Sequence, residues 1–100
     1  MDNALVEQIY ERSKGYCEIC GSTHMLEIHH IIFGKGKRKQ HERIESIILL
    51  CYSCHRGTNG VHGKNGRKLD IRLKQRLQKT YQDQGYTEEE IRELMGGRLY

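Results

Sequence analysis

The sequence predicts a small α+β fold: two strands bracketed by helices and stapled by metal. Three observations point that way. Apolar residues recur at helical spacing near both ends, two short strand-forming runs lie between them, and two C-x2-C pairs frame those runs. With 36% apolar residues, one Phe and no Trp in 100 positions, the core is thin, and small domains of that kind commonly need a staple. Residues 1–100 therefore read as one domain: an N-terminal helix over 1–15, a metal-bearing core over 16–66 and a helical extension over 67–97.

The elements follow in order. "DNALVEQIYERSKG" reads as a helix capped by Asp2 or Asn3, with Leu5, Ile9 and Val6 on one face and Gly15 closing it. "CEIC" makes a turn. "MLEIHHII" reads as a strand with Leu26, Ile28 and His30 on one face and Glu27, His29 and Ile31 on the other. A basic loop follows, and then "RIESIILL" as a second strand, antiparallel to the first, leading into "CYSC". The glycines of "HRGTNGVHGKNG" leave room for one short helical turn. "RKLDIRLKQRLQKTYQDQG" is the longest helical pattern, with Leu69, Leu73, Leu77 and Tyr81 in a stripe, Ile71 beside it and Gly85 at its end. Thr87 and Glu90 form a capping box for a last helix to Met95, stopped by Gly96 and Gly97.

The N-terminus is charged throughout and no apolar run reaches the length of a membrane span, which argues for a soluble, cytoplasmic protein. In that reducing setting Cys17, Cys20, Cys51 and Cys54 read as four thiolate ligands of one Zn2+ and not as disulfides. A site with four protein ligands has no open position, so this zinc holds structure. The histidines are left over. His29 and His30 are consecutive on a strand and face opposite ways, so they do not share one ion without distortion. Phosphodiester hydrolysis needs a metal to relieve charge and a base to take a proton from water, and His29, His30, His55 and His62 offer both. His24 and His41 read as surface residues.

"CEIC…LEIHHI…ESIILLCYSCH…H" resembles the HNH endonucleases, whose ββα-metal site is built on a treble-clef zinc scaffold in the cysteine-bearing members. "LDIRLKQRLQKTY…GYTEEEIRELMGG" is similar to the tail of small phage-associated HNH proteins. The resemblance implies that His30 is the general base and that His29 and His55 bind a divalent ion. The family often has a further histidine four residues after His55. Here Asn59 holds that place, and His62 is preferred to it as third ligand because imidazole binds transition metals better than an amide. Ser46 stands where the family's central Asn orients the base, and a hydroxyl cannot mimic both ends of an amide.

The function expected is metal-dependent cleavage of DNA, double-stranded in the first place, by a monomer or homodimer. Arg56 would steady the phosphate, and Lys35, Lys37, Arg38, Lys39 and Arg43 in "KGKRKQHER" would engage the backbone. Lys74, Arg76 and Lys79 would extend that surface. The working ion is left open among Mg2+, Mn2+, Ni2+ and Zn2+. The alternative is a zinc-stabilised module that binds nucleic acid or protein without catalysis.

Overall fold

A computed structural model describes residues 1–34 and 37–100, leaving aside the side chains of Arg38 and Lys39. Helix α1 runs Asn3–Ser13, strand β1 Glu27–His30, helix α2 Lys37–Gln40, strand β2 Ile47–Leu50, helix α3 Tyr52–Arg56, helix α4 Arg67–Asp83 and helix α5 Glu88–Leu94. The Asp2 carboxylate accepts from the Ala4 N–H at 3.0 Å to start α1, and the left-handed turn that ends it begins at Lys14, one residue before the expected glycine.

β1 and β2 pair antiparallel, with Glu27 opposite Leu50 and His29 opposite Ile48. Alternation along the strands divides the core. Ile47 and Leu49 face α1 and pack on Ile9, while Ile31, Ile48 and Leu50 face α4 and α5 and pack with Leu73, Leu77, Tyr81, Ile91 and Met95. All of β2 is buried because both of its faces are covered. Arg12 fixes α1 to the sheet: its guanidinium donates to the Ile44 and Ile47 carbonyls at 2.7 and 2.6 Å and also pairs with Glu18. Glu18 in turn accepts from the Leu49 N–H at 2.8 Å.

Both strands are shorter than the sequence suggests. Ile44–Ser46 forms a 3-10 turn instead of the first half of β2. The cause is Ser46, whose hydroxyl contacts the His41 and Arg43 carbonyls and accepts from the Arg43 N–H at 3.0 Å, so side chain–backbone bonds displace the sheet ladder. The stretch read as a plain basic loop contains α2. The C-terminal reading matches closely: Leu73, Leu77 and Tyr81 of the α4 stripe are buried, Leu69 is half-buried, and the Thr87–Glu90 capping box closes in both directions, at 2.9 and 3.2 Å.

Between α3 and α4 the chain climbs through turns of three residues. The amides of Gly60, Gly63 and Gly66 donate to the carbonyls of Gly57, Gly60 and Gly63 at 2.8–3.1 Å. The spiral packs against the end of α3, and a Cβ at Gly60 would meet the Ser53 carbonyl at 2.6 Å. No helix among the described residues is long and apolar enough to cross a membrane.

Candidate metal centres

The first cluster is the four cysteines. Cys17 and Cys20 lie on the turn before β1, Cys51 follows β2 as the N-cap of α3 and Cys54 sits in α3; all four are free thiols. Their sulfurs lie within 4.8 Å of one another, with Cys20 and Cys51 at 3.5 Å. A tetrahedron of sulfurs around zinc has edges of about 3.8 Å, so the set fits that ion. Burial raises the Cys17 thiol, but the Cys20, Cys51 and Ile19 backbone amides outweigh it and pull the pKa down to about 6. Burial first, then the neighbouring thiols, push Cys54 up. Thiols crowded in this way repel as thiolates, and a cation among them removes the conflict.

The second cluster is His29, His55 and His62, from β1, α3 and the glycine spiral. One nitrogen of each lies within 4.8 Å of the others, and the ring centroids are 4.9–5.2 Å apart. His29 is 2% exposed, and its Nε2 is buried without a hydrogen-bond partner. Burial first, then the charges of His55, His62, His30 and Lys74, lower its pKa to about 3. It is therefore a neutral imidazole, the form that binds metal. An orphaned buried nitrogen beside two more imidazoles fits a divalent ion.

His62 arrives by an insertion. The Val61 and His62 amides donate to the Cys54 and His55 carbonyls, both at 2.9 Å. In an unbroken α-helix those carbonyls would accept from residues 58 and 59. The spiral adds three residues and then returns the chain to the helix's hydrogen-bonding path, so His62 takes the place that Asn59 would have held. Asn59 itself is exposed on the excursion.

Glu27 was not singled out in the sequence. Its carboxylate lies 3.1 Å from His55 Nδ1 and accepts from Arg56 Nε at 2.7 Å and Nη2 at 3.2 Å. Arg56 first, then His55, hold the Glu27 carboxyl down at about 2. A carboxylate on Nδ1 fixes the His55 tautomer and leaves Nε2 for an ion. The signal was available: Glu27 lies two residues before His29, on the same face of β1.

Residues 17–59 match the family model described as HNH endonuclease. That stretch, which takes in the four cysteines and His29, His30 and His55, is similar to an HNH endonuclease domain. The likeness suggests a nuclease-type function on nucleic acid, and the four-cysteine cluster is compatible with a structural zinc. No curated protein and no solved structure matches the chain. The HNH match ends at Asn59, three residues before the third imidazole.

The other HNH positions divide. His30 lies on the opposite face of β1 from His29, with Nε2 3.7 Å from Glu42 Oε1. Ser46 is 1% exposed and its hydroxyl is bonded to loop backbone, so it positions the segment. Its carbonyl accepts from the Ile31 N–H at 2.8 Å, which anchors that segment just past His30. Arg56, expected on a phosphate, pairs with Glu27 while its side chain stays half exposed.

The basic residues divide as well. Arg43 turns inward: it donates to the Tyr86 hydroxyl at 2.9 Å and stacks over the Tyr81 and Tyr86 rings at 5.6 and 5.7 Å. It ties the loop to the C-terminal helices. Lys37 is exposed as expected; Lys35 and the Arg38 and Lys39 side chains lie outside the described residues. Lys74, read as surface, is buried against Asp70 at 2.9 Å, while Arg76 and Lys79 are exposed.

Proposed function

We propose that this chain is a metal-dependent endonuclease that hydrolyses phosphodiester bonds in DNA, double-stranded DNA first. Zinc on Cys17, Cys20, Cys51 and Cys54 would hold the scaffold, and one divalent ion on His29, His55 and His62 would serve the reaction. The observation that carries the reading is the convergence of three imidazoles from three separate segments, one with an orphaned buried nitrogen. When bound, the ion supplies Lewis-acid stabilisation of charge on the phosphate and the leaving oxygen.

The chain's own groups do the rest. His29 stays neutral because it is buried, and Glu27 holds His55 with Nε2 presented. His30 takes a proton from the attacking water, and Glu42 beside it stabilises the imidazolium that forms. Lys37 and the exposed Arg67, Lys68, Arg72 and Arg76 supply cations for backbone phosphates; α4's acids are taken by Lys74 and Lys79. Such contacts bind without reading sequence and weaken with salt. Imidazole ligands admit Zn2+, Ni2+, Mn2+ and Mg2+, the last least readily. Four reduced thiols suit a cytoplasmic setting. One site per chain suits nicking by a monomer, and paired cuts by a homodimer.

Supercoiled plasmid tests the reading with Mn2+, Mg2+ and Ni2+ in turn. Wild type is expected to nick it, and His30→Ala to lose on the order of 10²–10⁴-fold in rate while still binding DNA. Equally little nicking by the two proteins with all three ions leaves a zinc-stabilised binding module instead, and equal, substantial nicking removes His30 as the base.

A further inference from the structure

The HNH match stops at residue 59, but a group from α4 reaches the imidazole cluster. Phe33 is the fourth ring there. Its centroid lies 5.7 Å from that of His29 and 5.3 Å from that of His62, both tilted well away from parallel. Over the Phe33 ring, 4.4 Å from its centroid, sits the ammonium of Lys74. The Tyr100 ring lies 5.2 Å from the same ammonium, and Asp70 Oδ2 accepts from it at 2.9 Å. The other oxygen of Asp70 is buried without a hydrogen-bond partner.

A buried ion pair with an unsatisfied oxygen is poor material for stability, since the desolvation of both charges is only partly recovered. An ammonium over a ring face does fix that ring, and desolvation strengthens the attraction. We infer that Lys74, held by Asp70, is a positioning residue that clamps Phe33 as a wall of the imidazole site, so that the extension beyond the HNH core helps set affinity for the second ion. Two of the three ligand rings, His29 and His62, lean on that wall; His55 is held separately by Glu27. The clamp matters most for His62, which is exposed and comes from a turn.

The inference rests on the reading of the imidazole cluster as an ion site, and the experiment keeps the two apart. Zinc-loaded full-length protein is titrated with Co2+ by calorimetry, with thermal unfolding measured in parallel. The Asp70→Leu/Lys74→Met protein, which removes both charges and leaves no orphan, is expected to bind Co2+ about 10-fold more weakly. Phe33→Leu is expected to weaken binding similarly, and Lys74→Arg to stay near wild type because a guanidinium also caps a ring. Unchanged Co2+ affinity in the folded variants, whatever their melting temperatures, overturns the inference and leaves the pair as packing. If the double variant does not fold, Phe33→Leu decides in the same terms. Failure of the wild type to take up Co2+ overturns the ion-site reading, and this inference with it.

Discussion

The four sulfurs reach their cage from two turns of identical spacing, Cys17–Cys20 and Cys51–Cys54, whereas the three imidazoles come from a strand, a helix and a glycine spiral. Backbone amides already favour the thiolate at Cys17. The rings depend on neighbours from elsewhere: Glu27 behind His55, and Phe33 against His29 and His62. The first site is thus built mainly from local turns, and the second from packing between elements. Damage to the sulfur site should therefore reach the imidazole site, while damage to the imidazole site should stop there.

The largest test of that asymmetry is Cys51→Ser, or removal of zinc by a strong chelator. Structural zinc binding is worth roughly 10–16 kcal/mol in small zinc domains, so the expected outcome is loss of the fold and of both sites, read by circular dichroism. Glu27→Gln should be confined to one site: second-ion affinity and nicking fall about 10–100-fold, while mass spectrometry still finds one zinc per chain. Gly60→Ala places a Cβ 2.6 Å from the Ser53 carbonyl and 2.8 Å from that of Cys54. Its cost is expected at about 1–3 kcal/mol in denaturant unfolding, with second-ion affinity falling more than zinc retention.

Ser46→Ala should cost about 1–3 kcal/mol by leaving buried loop backbone unpaired, and should slow nicking through the segment that carries Glu42 without loosening either ion. The smallest effect concerns pH. The folded-state pKa of Glu27 is depressed to about 2 from an ordinary 4.5. Its contribution is therefore fully present above 4.5 and is lost as pH falls through 2. Arg56→Met should move the Glu27 midpoint up toward the ordinary range, seen in an NMR titration of the carboxyl carbon. No such movement would mean that His55 alone holds Glu27 ionised.

The cysteine cage was legible because ligand turns are written as intervals, and His29 and His30 because a strand's period of two is rigid. His62 was legible through chemistry, since imidazole outranks amide, although the path that brings it in was not. The glycines recur at every third residue from Gly57 to Gly66, a pattern that matches their turn-by-turn hydrogen bonds. Glu27 could have been found from the same alternation that placed His29. The partners of Arg43, Arg56 and Lys74 were not legible, for a shared reason. A charged residue carries no mark in the sequence of whether its partner is solvent, a carboxylate or a ring; Arg43 and Arg56 found theirs far along the chain, and Lys74 in Asp70 one turn away and in two rings from elsewhere. The 3-10 turn at Ile44–Ser46 was hidden by β-favouring isoleucines on either side of one buried serine.

The spiral between His55 and His62 has a consequence for kinship. It lets the chain gain three letters between two ligands and still resume the helix's hydrogen-bonding path, as a spliced rope keeps its lay. The length of that interval then says nothing about whether a related site is whole, and sequences that look broken there can present the same three rings.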